Sequence, residues 1–94
     1  MEKLHTTPVH PGEVLEDELE ELSLSQSDLA QHIGVSLESI RRLCQGQQEL
    51  SASMAMKLSR ALGASPQFWL NLQNNCELSQ IDEADYTQIQ SIAV

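Results

Sequence analysis

Aromatic residues are nearly absent from this chain, whose 94 residues include one Phe, one Trp and one Tyr. Ala, Leu, Ile and Met must then supply most of the packing, and that composition suits helices better than strands. Basic residues are scarce too: five Lys and Arg against fourteen Asp and Glu give a net charge of −9. Such a balance argues against general coating of nucleic acid, or docking on an anionic membrane, as the main activity. It favours a basic partner. Two cysteines, Cys44 and Cys76, are too few for a disulfide framework, and neither lies in a C-x-x-C or Cys/His spacing. They are expected to be reduced thiols in a cytoplasmic protein. No apolar run approaches the roughly 18 residues of a membrane span, and MEKLHTTPVH lacks the apolar stretch of an export signal. No internal repeat or low-complexity tract is present. The length suits one small domain, taken as residues 1–94.

What is present is helix punctuation. Residues 1–9 read as a loose arm. Pro11-Gly12-Glu13 opens a first helix, with Pro in its first turn and acid near the positive end of the dipole. Val14, Leu15, Leu19 and Leu22 give it an apolar stripe. Ser25 and Ser27-Asp28 supply starts for a second helix that Gly34 stops. Ser36 caps a third, ended by Gly46, and Ser51 a fourth, ended by Gly63. Ser65-Pro66 begins a fifth, from Phe68 to about Cys76. In the tail, residues 77–94, Asp85-x-x-Gln88 resembles a capping box before Ile89 and Ile92, which predicts a short last helix. The fold class is all-α, with five or six helices.

Residues 26–45, QSDLAQHIGVSLESIRRLCQ, carry the informative pattern. A helix-turn-helix needs two helices packed steeply across a short turn. Ala30 is small where the helices would cross, and Gly34 tolerates the positive φ of the turn. Leu29, Ile33, Val35, Ile40 and Leu43 are apolar where a shared core is needed. Ser36, Leu37, Glu38, Ser39, Arg41, Arg42 and Gln45 then face outward, as the side chains that read a major groove must. An ordinary αα-hairpin would also want Ala, Gly and Leu, but not all of them in this register.

With its flanks, the motif resembles the Xre/Cro/CI-type helix-turn-helix, and within it the HigA-type (VapI-like) antitoxins of prokaryotic toxin–antitoxin pairs. The resemblance is carried by His10-Pro11-Gly12-Glu13-Val14-Leu15, Leu24-Ser25-Gln26, Leu29-Ala30 and Gly34-Val35-Ser36. It continues through Leu50-Ser51, Met54-Ala55, Leu58-Ser59-Arg60-Ala61-Leu62-Gly63 and Ser65-Pro66-Gln67-Phe68-Trp69-Leu70-Asn71-Leu72-Gln73. It implies a compact lambda-repressor-like domain that binds operator DNA as a homodimer and represses its own operon. It also implies a HigB-type toxin as partner, a small basic mRNA endonuclease. The chain departs from the family's pattern at Leu37, where a polar or basic side chain is frequent, at Gln45, where Asn is, and near Gln47 and Gln48, where basic residues are.

Arg41 and Arg42 are the only adjacent basic pair, suited to guanine edges or phosphate. The alternative for both is a solvated helix face beside an acidic neighbour. Glu38 can accept from cytosine N4 or repel wrong sites. Ser36 and Ser39 can touch phosphate or base edges, although Ser36 can equally serve only as a cap. Gln26 begins the supporting helix, where an amide and backbone N–H groups meet phosphate, and Gln47 can reach the backbone from beyond the recognition helix.

Charge is unevenly placed. Residues 1–22 hold one Lys and seven acids, whereas residues 51–65 hold only Lys57 and Arg60. The acidic run Glu13, Glu16, Asp17, Glu18, Glu20 and Glu21 either keeps the protein soluble or meets a basic toxin, for which Glu13, Asp17, Glu20 and Glu21 are the candidates. Trp69 and Leu72, with Ile89 and Ile92, are candidates for a dimer interface, although aromatics at such spacing are commonly core. His5, His10 and His32 form no metal set, and His10 fits the entry of the first helix. No nucleophile–base pair or phosphate loop stands out, so neither enzymatic activity nor a cofactor is expected. A stand-alone regulator without a toxin, or an interaction module that no longer binds DNA, are the competing readings.

Overall fold

A computed structural model describes residues 9–93; the arm expected at the N-terminus falls almost wholly outside them. Five α-helices follow one another: α1 (Pro11–Glu21), α2 (Gln26–Ile33), α3 (Leu37–Cys44), α4 (Ala52–Leu62) and α5 (Pro66–Ser79). Each start is fixed by a side chain that accepts an otherwise orphaned backbone N–H. Ser25 accepts from Asp28 N while the Asp28 carboxylate accepts from Ser25 N, a closed capping box. Ser36, Ser51 and Ser65 cap α3, α4 and α5 in the same way. At α1 the cap is His10, whose Nδ1 accepts from Gly12 N at 2.9 Å.

Packing is centred on Leu15, Leu19, Leu29, Ala30, Ile40, Leu43, Leu58 and Trp69, all buried. Helices α2 and α3 pack on each other across the turn, α1 lies along α3, and α4 and α5 close the other side. Gly34 sits in that turn at φ +77°, a conformation that side chains with a Cβ rarely adopt. Gly12 has a different role. A Cβ built there would lie 1.9 Å from the carbonyl oxygen of Leu43, so α1 approaches the end of α3 backbone to backbone.

Two expectations fail. Leu22 is not part of the α1 stripe: it is 51% exposed and caps the helix, with Ser23 following at φ +56°. The short last helix does not form. In its place stands a single 3₁₀ turn, Glu83–Tyr86, capped by the Asp82 side chain. Ile89 and Ile92 are 75% and 99% exposed, so among the described residues little packs on that segment. A helix that short is unstable in water without tertiary contacts.

Candidate nucleic-acid interface

The outward face of α3 is built by a strongly amphipathic octapeptide, LESIRRLC. Ile40, Leu43 and Cys44 turn into the core, which leaves Leu37, Glu38, Arg41 and Arg42 on the opposite face, continued by Gln45 at the C-cap. All five are exposed. Ser36 is exposed but its Oγ already accepts from Ser39 N at 3.0 Å, so capping is its established role here. Ser39 is half-buried and accepts at 3.1 Å from Gln48 Nε2, a contact that ties the following loop to the helix. Gln47 is exposed in that loop, and its backbone N–H donates to Arg42 O at 2.8 Å.

One relationship dominates the electrostatics. Glu38 Oε1 accepts from Arg41 Nη1 at 2.6 Å, and Glu38 Oε2 accepts from Arg42 Nε at 3.0 Å. The Arg42 hydrogen bond, aided by the charges of both arginines, holds the Glu38 carboxyl below its usual range against the opposing effect of desolvation. The acidic neighbour weighed for these arginines is therefore Glu38 itself.

Gln26, at the first position of α2, is half-buried. It lines an open depression of about 390 Å³ together with Glu16, Asp17, Leu19, Glu20 and Leu24. Acid beside Gln26 repels phosphate, which weakens its case as a backbone contact. Glu13, Asp17, Glu20 and Glu21 are all exposed along α1.

Trp69 is a correction. It is 1% exposed, with its ring edge-on to Phe68 at 5.4 Å between centroids, so it belongs to the chain's own core and offers no surface to a second copy. Leu72 is half-buried and keeps some surface. Sequence reasoning missed Gln73, a buried polar residue of α5, and the close approach at Gly12. For neither did the sequence contain a local signal. Among the described residues no cluster of His, Cys, Asp and Glu is placed to hold a metal, and no helix is long and apolar enough to cross a membrane.

The pairing of α2 and α3 across Gly34 has a matching family pattern, described as helix-turn-helix (HTH_3), over residues 15–69. The chain belongs to that family. Within it, the likeness runs to the HigA-type, VapI-like antitoxins, as the flanking residues implied. Antitoxin HigA-1 of Vibrio cholerae is 39% identical over 79 residues, covering 83% of this chain and 74% of that protein. The HTH-type transcriptional regulator YddM of Escherichia coli is 37% identical over 73 residues, 78% of each chain. A solved structure of the Pseudomonas aeruginosa antitoxin HigA with the higBA promoter superposes with a TM-score of 0.80. It is 36% identical and covers 92% of this chain and 99% of that one. As a helix-turn-helix regulator of this family, the chain has α3 in the place of the recognition helix.

Proposed function

We propose that this chain is a cytoplasmic antitoxin that binds its own operator as a homodimer, represses its operon and neutralises a HigB-type mRNA endonuclease. One observation carries the reading: α3 presents Arg41, Arg42 and Gln45 on its exposed face, in a fold that HigA of Pseudomonas aeruginosa brings to promoter DNA. Arg42 and Gln45 are the candidates for base edges, Arg41 for the groove wall, and Leu37 for a thymine methyl. Ser39 and Gln47 are left to the phosphate backbone, with Ser36 held as the cap of α3 and Gln26 disfavoured by the acid beside it.

A chain of net charge −9 makes few phosphate contacts, so two half-sites must act together. The half-buried Leu72 and the exposed Ile89 and Ile92 are the apolar candidates for pairing. The toxin surface is assigned to Glu13, Asp17, Glu20 and Glu21, whose exposed carboxylates complement a basic protein. A stand-alone regulator is the second reading, kept because YddM, at 37% identity, is named only as an HTH-type transcriptional regulator.

The test combines two measurements on the full chain. A mobility-shift assay with the promoter upstream of its gene should show binding that competitor DNA does not remove. Co-expression with a neighbouring gene for a short basic protein should yield a stable complex and relieve growth arrest. A promoter shift without such a complex selects the stand-alone regulator, and no shift at all refutes both.

A further inference from the structure

In the free protein both guanidinium groups of the recognition helix are already engaged. A single carboxylate, Glu38, takes one donor from Arg41 at 2.6 Å and one from Arg42 at 3.0 Å. It accepts donors that a DNA acceptor would otherwise draw on. Glu38 lies in the first turn of α3, where the helix dipole favours an acid, and Arg41 and Arg42 follow one turn later. Spacings of i, i+3 and i, i+4 keep the three side chains in register on one helix face. Arg41, Arg42 and Glu38 are about half exposed, at 45%, 57% and 54%, so water competes and the clasp can open.

We propose that Glu38 is a specificity determinant of DNA binding, restraining Arg41 and Arg42 from the phosphates of unrelated duplex. The inference rests on reading α3 as the groove-facing helix. Contacts to unrelated DNA are mostly to phosphate. Each such contact by Arg41 or Arg42 either gives up its bond to Glu38 or brings that carboxylate close to the phosphates. A phosphate contact only exchanges one charge-assisted bond for another, so on unrelated DNA the repulsion between Glu38 and the phosphates is left uncompensated. A matched groove does offset it, because a guanine accepts two bonds from an arginine and a cytosine N4 donates to the released Glu38. The penalty therefore falls unequally on wrong and right sites.

The experiment compares Glu38→Gln with the wild-type chain on two duplexes of equal length, the native promoter fragment and an unrelated sequence. Gln keeps the size of the side chain and removes the charge, and Glu38→Ala serves as a second variant should Gln retain one bond. Circular dichroism confirms that both fold. On the unrelated duplex, Glu38→Gln should bind about twofold to tenfold more tightly, as expected for releasing two surface pairs. Its salt dependence should steepen by about one to two phosphate contacts. Promoter affinity should gain less, or fall, so the preference for promoter shrinks. Adding Arg41→Ala and Arg42→Ala should abolish the gain, and Glu49→Gln, an equal change of charge off the helix, should not reproduce it. A wild-type preference that Glu38→Gln leaves intact, or a gain that Glu49→Gln matches, overturns the role of Glu38 alone. No preference in the wild-type chain overturns the operator reading beneath it.

Discussion

The side-chain oxygen of Gln73 accepts the backbone N–H of Leu50 at 2.9 Å, across 23 residues of chain and inside the protein. Gln73 is 6% exposed, and its amide nitrogen donates to Glu77 at 2.7 Å, so it bridges the loop after the recognition helix to α5. That loop cannot lift away without leaving a buried donor unpaired. The shared wall of the α3–α4 connection is thus held by a polar bond as well as by the buried Leu50 side chain.

Replacing Gln73 by Met keeps the length of the side chain and removes the acceptor. The orphaned Leu50 N–H should then cost about 1–3 kcal/mol of stability. Urea unfolding measures this directly. A midpoint equal to that of the wild-type chain would show that water serves Leu50 equally well.

Gly12 makes a sharper demand. Its missing Cβ is what lets α1 lie against Leu43 and Cys44, where an added carbon would meet backbone at 1.9 to 2.9 Å. Backbone does not swing aside as a flexible side chain does, so Gly12→Ala should force α1 away from α3. We expect a loss of about 3 kcal/mol or more, at the upper end for overpacking. Weakened DNA binding should accompany it, because the end of the recognition helix moves. Thermal unfolding and a promoter titration on the same variant check both.

These residues mark the boundary of what was legible. The caps at Ser25, Ser36, Ser51 and Ser65 could be read from sequence because each bond spans three residues. The turn at Gly34 and the outward face of α3 were readable for the same reason: helical spacing is local. Gln73 and Gly12 were not, since Leu50 and Leu43 lie far along the chain and only the fold brings them near. The tail misled in the opposite direction. Asp85-x-x-Gln88 is a sound local signal, but Ile89 and Ile92 stay largely exposed among the described residues, and tertiary contact decides a helix that short.

Burial pushes the Cys44 thiol up to about 11 from an ordinary 9.0, and the charge of Glu16 adds to the shift. The folded value lies above the unfolded one, so on raising the pH the unfolded chain releases its proton first. The stability associated with Cys44 is full below about pH 9 and declines between pH 9 and pH 11. Cys44→Ala should remove that part of the alkaline slope while other titrating groups remain. Comparing unfolding midpoints of the two proteins across this range isolates it. Alkylation of Cys44 at pH 8 should also be slow until the protein unfolds.

Arg42 is the side chain on which operator recognition should depend most. Arg42→Ala should weaken promoter binding by about 1–3 kcal/mol if the contact is to a base edge, and reduce discrimination at one position of each half-site. Paired half-sites about 34 Å apart, one turn of DNA, should be protected by two protein chains. Footprinting and sedimentation measure spacing and stoichiometry. One chain per operator, or unchanged affinity in Arg42→Ala, would move recognition away from this helix.

The acidic surface of α1 has its own test. Glu13, Glu16, Asp17, Glu20 and Glu21 are exposed, and Glu16 and Glu20 repel each other at i, i+4, which costs a few tenths of a kcal/mol in an isolated helix. No described cation pairs with them, because the ion pairs of the described residues lie on α3. Solubility alone explains negative charge, but it does not require a concave surface, and Glu16, Asp17 and Glu20 line one of about 390 Å³. A basic toxin docking there should associate quickly at low salt and slowly once screening shortens the reach of the charges. Neutralising Asp17, Glu20 and Glu21 as Asn, Gln and Gln should lower the on-rate for the toxin at least severalfold, with a flatter salt dependence. Promoter affinity should stay level or rise slightly, since α3 keeps its own charges. An on-rate that is unaltered and insensitive to salt would instead place the toxin on an apolar surface, where Phe68, Leu78 and Ile81 are the exposed side chains of α5 and its C-terminal end.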